Sequence, residues 1–481
     1  MLTFINKMLI SELKNQKIAI IGFGKEGKST LDFLLKVGVP SGNITILDQA
    51  GPLAPILQER GITGINTVTG KSYLDNLCDF DAIFKSPGVS PYHEKIAPVR
   101  KKLLSGAQLF FDNYDGKVIG VTGTKGKSTI ATLIYKTLIE AGYDVKLVGN
   151  IGNPVLDEVD LIKGEKHDYI VYELSSYMLD TLKPKCFIGI LSNLYPCHLT
   201  WHNNDFDIYK EAKLNLLKGS ERILIEYDFN ELMSGIAPDQ SLYTFGGGGK
   251  YTYEDHKFYN LGEELFTDNR VLLKGEHNKK NICAVIGVGR LIKKYTDDSD
   301  EKFEVYIQSL QKVLSKFSGL PHRLENIGTY HDVTFIDDGI STTPESTIEA
   351  IKTFGYKIGT LFLGGADYGF TKASYGLLKD SIIEHHIRNI VLFPDTGNDV
   401  FGDISRNIKL GEQKVVTIEG IELLLLKTKS MKDAVDFAYI NTEKGKTCLM
   451  SSAAPSYSLW KGYIEKGREY KSEIIKYTPK S

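Results

Sequence analysis

The five cysteines (Cys78, Cys186, Cys197, Cys283 and Cys448) include no C-x-x-C pair. Their scatter argues against a disulfide framework and a structural zinc site, and suits a reducing cytosol. An excess of charge is also missing. The net value of −2 gives no electrostatic reason to expect nucleic acid or an acidic membrane surface as a partner. No apolar run approaches the roughly 20 residues of a membrane span. The stretch Met1–Ile10 is too short and has no cleavage site for a signal peptide, so a cytoplasmic protein is expected. Short-period repeats and low-complexity linkers are absent as well. What remains is a chain of 481 residues, 42% hydrophobic and 25% charged, an ordinary globular composition. Single cores seldom exceed roughly 250 residues, so roughly two to four domains are expected.

Against this plain background one segment stands out. The apolar run Val118-Ile119 leads through Gly120 and Gly123 to Thr124-Lys125-Gly126-Lys127-Ser128-Thr129, and a helical pattern follows through Ile130, Leu133, Ile134 and Leu138. A strand passing through glycines into Lys-Ser-Thr at a helix start cradles phosphate. Small residues let backbone N–H groups converge on the anion, and the helix N-terminus adds partial positive charge. Lys127 would reach the outer phosphates and the Ser128 hydroxyl would ligate Mg2+. The spacing departs from the common P-loop, because Val121 stands where its first glycine would be. Tyr169–Glu173 reads as a buried strand ending in an acid, where P-loop enzymes carry a metal- or water-orienting carboxylate. Glu173 also reads as an ordinary strand-end acid.

A second glycine pattern lies upstream. The strand Lys17–Ile21 runs into Gly22-Phe23-Gly24-Lys25-Glu26-Gly27, a helix carries Leu31, Phe33 and Leu34, and the strand Ile44–Leu47 ends in Asp48. This is a dinucleotide fingerprint with its acid about 20 residues on. Alone it admits an NAD-dependent dehydrogenase, but that reading leaves the second phosphate loop and Glu173 unexplained. A further strand near Asp81–Phe84 precedes the turn Lys85-Ser86-Pro87-Gly88. Other expected strands are Lys146–Asn150, Ile188–Asn193, Val333–Asp337, Thr360–Leu363, Asn389–Phe393 and Thr447–Met450. The region from Ser220 to Leu273 reads as β-rich. A helix is expected after the run 274–281, and another opens at Pro344 behind an N-cap at Thr343. Strand–helix alternation from Gly319 onward predicts another doubly wound sheet.

Taken in order, these segments resemble the Mur ligases, ATP-dependent amide-forming enzymes of peptidoglycan precursor synthesis. The resemblance is carried by Gly22–Ser29, Lys85–Gly88, Gly123–Thr129, Gly149-Asn150-Ile151-Gly152, Glu173–Tyr177, His277–Asn281, His322–Glu325, Ala454–Tyr457 and Gly467–Tyr470. Within the family it is nearest to ligases that add D-glutamate to UDP-N-acetylmuramoyl-L-alanine through an acyl phosphate. It implies three α/β domains: a Rossmann-like UDP-binding domain over 1–115, a central P-loop ATPase with a mixed sheet over 116–318, and a Rossmann-like amino-acid-binding domain over 319–481. It implies ATP and Mg2+, no nucleic acid or membrane partner, and a monomer. Catalytic roles pass to Lys127, Glu173, His198 and Lys213, the last matching a lysine that the family carbamylates. Ser128, Glu173, His198 and Lys213 become metal ligands. Nucleotide contacts fall on Gly123–Thr129, Asn278, Asn281, Arg323 and Asp337, with Asp338 an alternative to Asp337. Substrate contacts fall on Gly22, Gly24, Lys28, Ser29, Asp48, Ser86, Gly88, Asn150, Thr342, Ser456 and Tyr463. By residue type alone Lys213 would be a solvated helix lysine, Ser456 a capping hydroxyl, and His202 structural.

The departures cluster at the acceptor amino acid. Cys197 and Thr200 replace acids beside His198, Ile340 stands where a lysine is usual, and Tyr368 stands at a second basic position. A lost charge-assisted hydrogen bond costs on the order of 1.5–3 kcal/mol, enough to change which amino acid is accepted. A variant ligase adding L-glutamate or another amino acid stays open, as does a nucleotide-binding scaffold without catalysis. Retention of Lys127, Ser128, Glu173, His198 and Lys213 speaks against the scaffold.

Overall fold

The computed structural model describes residues 9–49, 51–197, 199, 201–235, 241–273, 275–296, 299–366 and 372–477. His198, Thr200 and Tyr368 lie outside them. The chain divides into two units, one ending at Phe317 and the other beginning at Ser318. Among the described residues there are three sheets, two in the first unit and one in the second. No helix among the described residues is long and apolar enough to cross a membrane.

The first sheet is wholly parallel, in the order Asn66–Thr69, Ile44–Asp48, Ile18–Ile21, Ala82–Lys85, Leu103–Leu104. Its central strand Ile18–Ile21 is buried throughout, as expected where helices cover both faces. The helix Lys25–Lys36 follows directly on the glycine turn. A Cβ on Gly27 would run into the Gly22 carbonyl and stand 3.5 Å from Ile20 Cγ2. The third glycine is therefore what lets this helix sit close against its strand.

The second sheet has nine strands, running from Glu263–Thr267 through Lys257–Asn260, Tyr251–Glu254, Ser241–Phe245, Ser220–Glu226, Cys186–Leu191, Val118–Thr122 and Tyr169–Glu173 to Val145–Gly149. Pairing is parallel from the last strand as far as Tyr251–Glu254 and antiparallel beyond it. One apolar core joins the two sheets. It contains Ile18 and Phe84 from the first, Leu31 from the Lys25–Lys36 helix, and Val118, Ile170 and Tyr172 from the second. Lys25 Nζ donates to the Gly152 carbonyl at 2.6 Å, and Lys36 pairs with Asp160 at 3.1 Å.

The second unit has the expected doubly wound parallel core, with a packed core on each face, and the first correction concerns only its edges. Five parallel strands lie in the order Val333–Asp337, Thr447–Met450, Ile358–Gly365, Asn389–Asp395, Ile421–Lys427, but antiparallel strands flank them on both sides, Glu325–Tyr330 and Gln413–Ile418. The turn residues Glu419 (φ 50°) and Gly420 (φ 80°) reverse the chain between Ile418 and Ile421, giving a two-residue hairpin rather than a crossover helix. A second correction concerns residues 274–281. The helix spans Glu276–Tyr295, so His277–Asn281 form its first turns rather than preceding it. The helix Pro344–Phe354 has Pro344 first and the Thr343 side chain accepting from the Ser346 N–H, as expected.

Two stability predictions follow from the packing of the Lys25–Lys36 helix. Gly27→Ala should lower the urea-unfolding free energy by about 1–3 kcal/mol through overpacking, and an unchanged midpoint would contradict the close approach. Glu26 is pushed up to about 7 from 4.5, first by burial and then by Asp157. The folded state thus holds a proton that the unfolded chain has lost, so stability falls as pH rises from 4.5 to about 7. Glu26→Gln should remove a penalty of about 2–3 kcal/mol above pH 7 and almost none near pH 4.5. An equal gain at both pH values in urea titrations would contradict this origin.

Candidate active site

The strand Val118–Thr122 lies between Tyr169–Glu173 and Cys186–Leu191, with Val121 level with Glu173 and Thr122 level with Leu191. The loop leaving Thr122 is therefore flanked by Glu173 on one side and by Ser192 and Asn193 on the other. Both sides grip it. Ser192 Oγ donates to the Lys125 carbonyl at 2.5 Å, the Thr124 N–H donates to the Asn193 carbonyl at 3.0 Å, and the Lys125 N–H donates to Asn193 Oδ1 at 2.8 Å. Thr124 Oγ1 lies 2.8 Å from the Tyr209 hydroxyl. These clamps were not read from the sequence, although a polar pair directly after an apolar strand could have signalled them.

The glycines have separate tasks. A side chain on Gly123 would collide with Ser192, and one on Gly126 (φ 84°) would stand 2.6 Å from Asn281 Oδ1. Gly126 thus lets the loop lie against the start of the Glu276–Tyr295 helix, where Asn281 Nδ2 donates to Asn278 Oδ1 at 3.0 Å. Asn278 and Asn281, expected to touch nucleotide, are brought to the phosphate loop. The helix Lys127–Glu140 begins at Lys127, and Lys127 Nζ donates to the Thr124 carbonyl at 3.0 Å. Ser128 is buried, Thr129 half-buried and Lys125 exposed.

Glu173 is 0% exposed. Its Oε1 accepts from Asn150 Nδ2 at 3.0 Å, while Oε2 is buried and has no hydrogen-bond partner among the described residues. An uncovered carboxylate oxygen in the interior is costly, and its natural cover is a cation. Glu173 with the neighbouring loop serine therefore fits a hard, oxygen-seeking ion such as Mg2+. Asn150, expected at the substrate, orients this carboxylate.

Lys213 is 2% exposed on the helix Phe206–Lys218. It is no solvated surface lysine. Its Nζ donates to the Gly123 carbonyl at 2.6 Å and lies 4.9 Å from the centre of the Tyr209 ring. Burial, reinforced by the charge of Lys127, holds it well below the usual lysine range. Burial thus disfavours the charged form of this amine beside the phosphate loop. His202 is fully buried and stacks near Tyr177 and Trp201, in keeping with a structural role.

In the first sheet Ser86 Oγ donates to the Gly22 carbonyl at 2.8 Å. A Cβ on Gly22 (φ 85°) would stand 2.9 Å from that of Ser86, so the two expected substrate turns meet. Asp48 Oδ2 accepts from the Phe23 N–H at 2.6 Å, which fixes the turn. Gly24 and Gly88 face open space, and Lys28 Nζ stands 6.0 Å from the centre of the Phe23 ring. Ser29 is 3% exposed, and its Oγ has no hydrogen-bond partner among the described residues.

In the second unit Arg323 is exposed and Thr342 and Tyr463 are half-buried. Asp337 is fully buried, accepting from His322 Nδ1 at 2.7 Å and from the Gly339 N–H at 2.9 Å. His322, Glu325 and Asp337 have metal-like spacing. Lys471 Nζ, however, lies 2.7 Å from Glu325 and 3.9 Å from Asp337, so an ammonium already balances the group. Burial pushes Asp338 up to about 6, and it accepts from Ser451 Oγ at 2.7 Å. Ser456 is 2% exposed and its Oγ has no hydrogen-bond partner among the described residues.

Residues 16–105 match the Mur ligase MurD-like N-terminal domain, and residues 121–289 match the Mur ligase middle domain. The chain is similar to the UDP-N-acetylmuramoylalanine–D-glutamate ligase of Clostridium perfringens, at 30% identity over 96% of this chain and 97% of that protein. The enzyme of the same name from Clostridium tetani is 28% identical over 96% of each chain. Among solved structures, the UDP-N-acetylmuramate–alanine ligase MurC of Thermotoga maritima aligns with a TM-score of 0.53 at 18% identity, covering 96% of this chain and 99% of that one. A pseudomurein peptide ligase type C from Methanothermus fervidus gives 0.53 at 16%, covering 96% and 100%. At those identities the two structures share the fold with this chain. With the curated relatives matched almost end to end, the chain belongs to the Mur ligase family.

Proposed function

We propose that the protein is an ATP- and Mg2+-dependent ligase that joins glutamate, with D-glutamate favoured, to UDP-N-acetylmuramoyl-L-alanine in the cytoplasm, as a step of peptidoglycan precursor synthesis. The observation that carries this reading is Glu173, buried at 0% exposure with Oε2 uncovered, beside the Gly123–Thr129 loop. The names of the two clostridial relatives supply the substrates. When bound, MgATP would supply the phosphoryl group that activates the substrate carboxylate as an acyl phosphate, with release of ADP; the acceptor amine attacks its acyl carbon, loses a proton and expels inorganic phosphate.

The chain's own residues position and neutralise. Lys127 balances charge on the phosphoryl group in transit. Ser128 and Glu173 hold the metal, with Asn150 fixing the carboxylate. The Lys213 amine, whose charged form burial disfavours, adds to carbon dioxide, losing one proton and gaining a carbamate oxygen suited to Mg2+. His198 is assigned to the metal by resemblance, as are Arg323 and Asp337 to the nucleotide. Gly22, Gly24, Lys28, Asp48, Ser86 and Gly88 hold the UDP portion, and Thr342, Ser456 and Tyr463 the acceptor. A second reading, addition of L-glutamate or another amino acid, is favoured by Ile340, a half-buried apolar residue where a lysine is usual in D-glutamate ligases.

Incubation with ATP, Mg2+ and UDP-N-acetylmuramoyl-L-alanine, plus D-glutamate, L-glutamate or other amino acids in parallel, tests both readings by product mass and ADP release. D-glutamate should give amide. No amide from any amine would overturn the ligase reading, and product from L-glutamate alone would replace the first reading by the second. Lys127→Ala should lower turnover by at least about 100-fold, through lost charge stabilisation, with an unchanged melting temperature. Full activity in that variant would contradict the role given to the loop.

A further inference from the structure

Three turns in the second unit leave the carboxyl ends of adjacent parallel strands. They follow Val333–Asp337, Thr447–Met450 and Ile358–Gly365, the position at which open α/β sheets bind ligands. Backbone bonds tie two of them together. The Gly364 N–H donates to the Ser452 carbonyl at 2.8 Å and the Ala366 N–H to the Pro455 carbonyl at 2.7 Å. The third approaches the helix Tyr463–Lys476, since a Cβ on Gly339 would stand 3.6 Å from the Tyr463 carbonyl. Ser456, with its unpartnered buried hydroxyl, lies on one of these turns.

None of the described residues of these turns (337–342, 364–366 and 451–456) is a cation, and Asp337 and Asp338 are acids. That is a poor setting for an acceptor bearing carboxylates. The missing charge is underneath. Lys466, three residues past Tyr463 and so on the same helix face, is 0% exposed. Its Nζ donates to Ser452 Oγ at 2.5 Å and to the Gly364 carbonyl at 3.4 Å, one group on each of the two joined turns. The rings of Phe393 and Trp460 each have their centres 4.8 Å from this nitrogen, an aromatic cover that favours the cation.

We propose that Lys466 is a positioning residue for the acceptor amino acid, clamping the Gly364 and Ser452 turns together and placing a positive charge beneath a floor that has none of its own. The inference rests on the ligase reading and deepens it. The acceptor is thereby an acidic amino acid, held with the help of a charge it does not touch. Burial pushes the Lys466 ammonium down to about 7, and the Asp337 carboxylate opposes that shift. A residue used only for packing has no reason to be ionisable at this place.

The test is steady-state kinetics of the full-length enzyme with each substrate varied in turn. Lys466→Met keeps a long unbranched side chain and removes the charge. It should raise KM for the acceptor about tenfold, as expected for a lost charge-assisted hydrogen bond, while leaving KM for ATP and for the UDP-sugar within about twofold. Lys466→Arg should recover most of the loss, because a guanidinium keeps the charge and stacks on aromatic rings. An unchanged acceptor KM, or an equal rise in all three constants, would overturn the proposal. Should Lys466→Met fail to fold, Ser452→Ala carries the test. A selective rise of about threefold in acceptor KM supports the clamp, and no change refutes it. Absence of amide product from the wild-type enzyme with every amine would instead overturn the ligase reading, and this inference with it.

Discussion

A carboxylate in a protein interior must be paired, and Glu173 is only half paired. Asn150 covers one oxygen, and the other, at 0% exposure, has no hydrogen-bond partner among the described residues. A buried charge of this kind is retained only where something else completes it. The surrounding design follows from that demand. The strand carrying Glu173 lies beside the strand that feeds the phosphate loop. The loop is pinned from the opposite side by Ser192 and Asn193, and Lys213 closes it from below through the Gly123 carbonyl. A metal ion held by Glu173 and the loop serine would complete the charge balance.

The arrangement needs rigid support, which comes from the core shared by the first two sheets. Side chains from Ile18 to Tyr172 form one apolar cluster. The turns after Ile18–Ile21 and Ala82–Lys85 are held to each other by Ser86 and to the next strand end by Asp48. What resembles a nicotinamide fingerprint is thus a turn braced by side-chain bonds and built on the same scaffold as the Gly123–Thr129 loop. In the second unit, by contrast, Asp337 is hydrogen-bonded to His322 and Glu325 pairs with Lys471, so the metal-like spacing there is already occupied by side-chain partners.

Much of this was legible because it is local. Apolar runs that end at glycines mark parallel strands and their ligand-bearing ends, and the Pro344 helix start was written in three residues. What was not legible depends on distant contacts. Lys213 looks like a solvated lysine on its helix and becomes a buried amine only when the helix packs under Gly123. The pairing of Asn150 with Glu173, and that of Lys466 with Ser452, joins residues on different strand ends or helices. The antiparallel strands flanking the second unit were missed because strand–helix alternation hides a two-residue hairpin. The His277–Asn281 run was set ahead of its helix because its polar residues mask the periodicity of the first turns.

The central claim is that Glu173 is the metal-bearing group of the phosphate loop. Calorimetric titration of ATP into the protein, with and without Mg2+, tests it on the wild type and on Glu173→Gln. The account predicts that Mg2+ tightens ATP binding at least about tenfold in the wild type and less than about twofold in the variant, with metal-free affinity little changed. Equal tightening by Mg2+ in both proteins would contradict it.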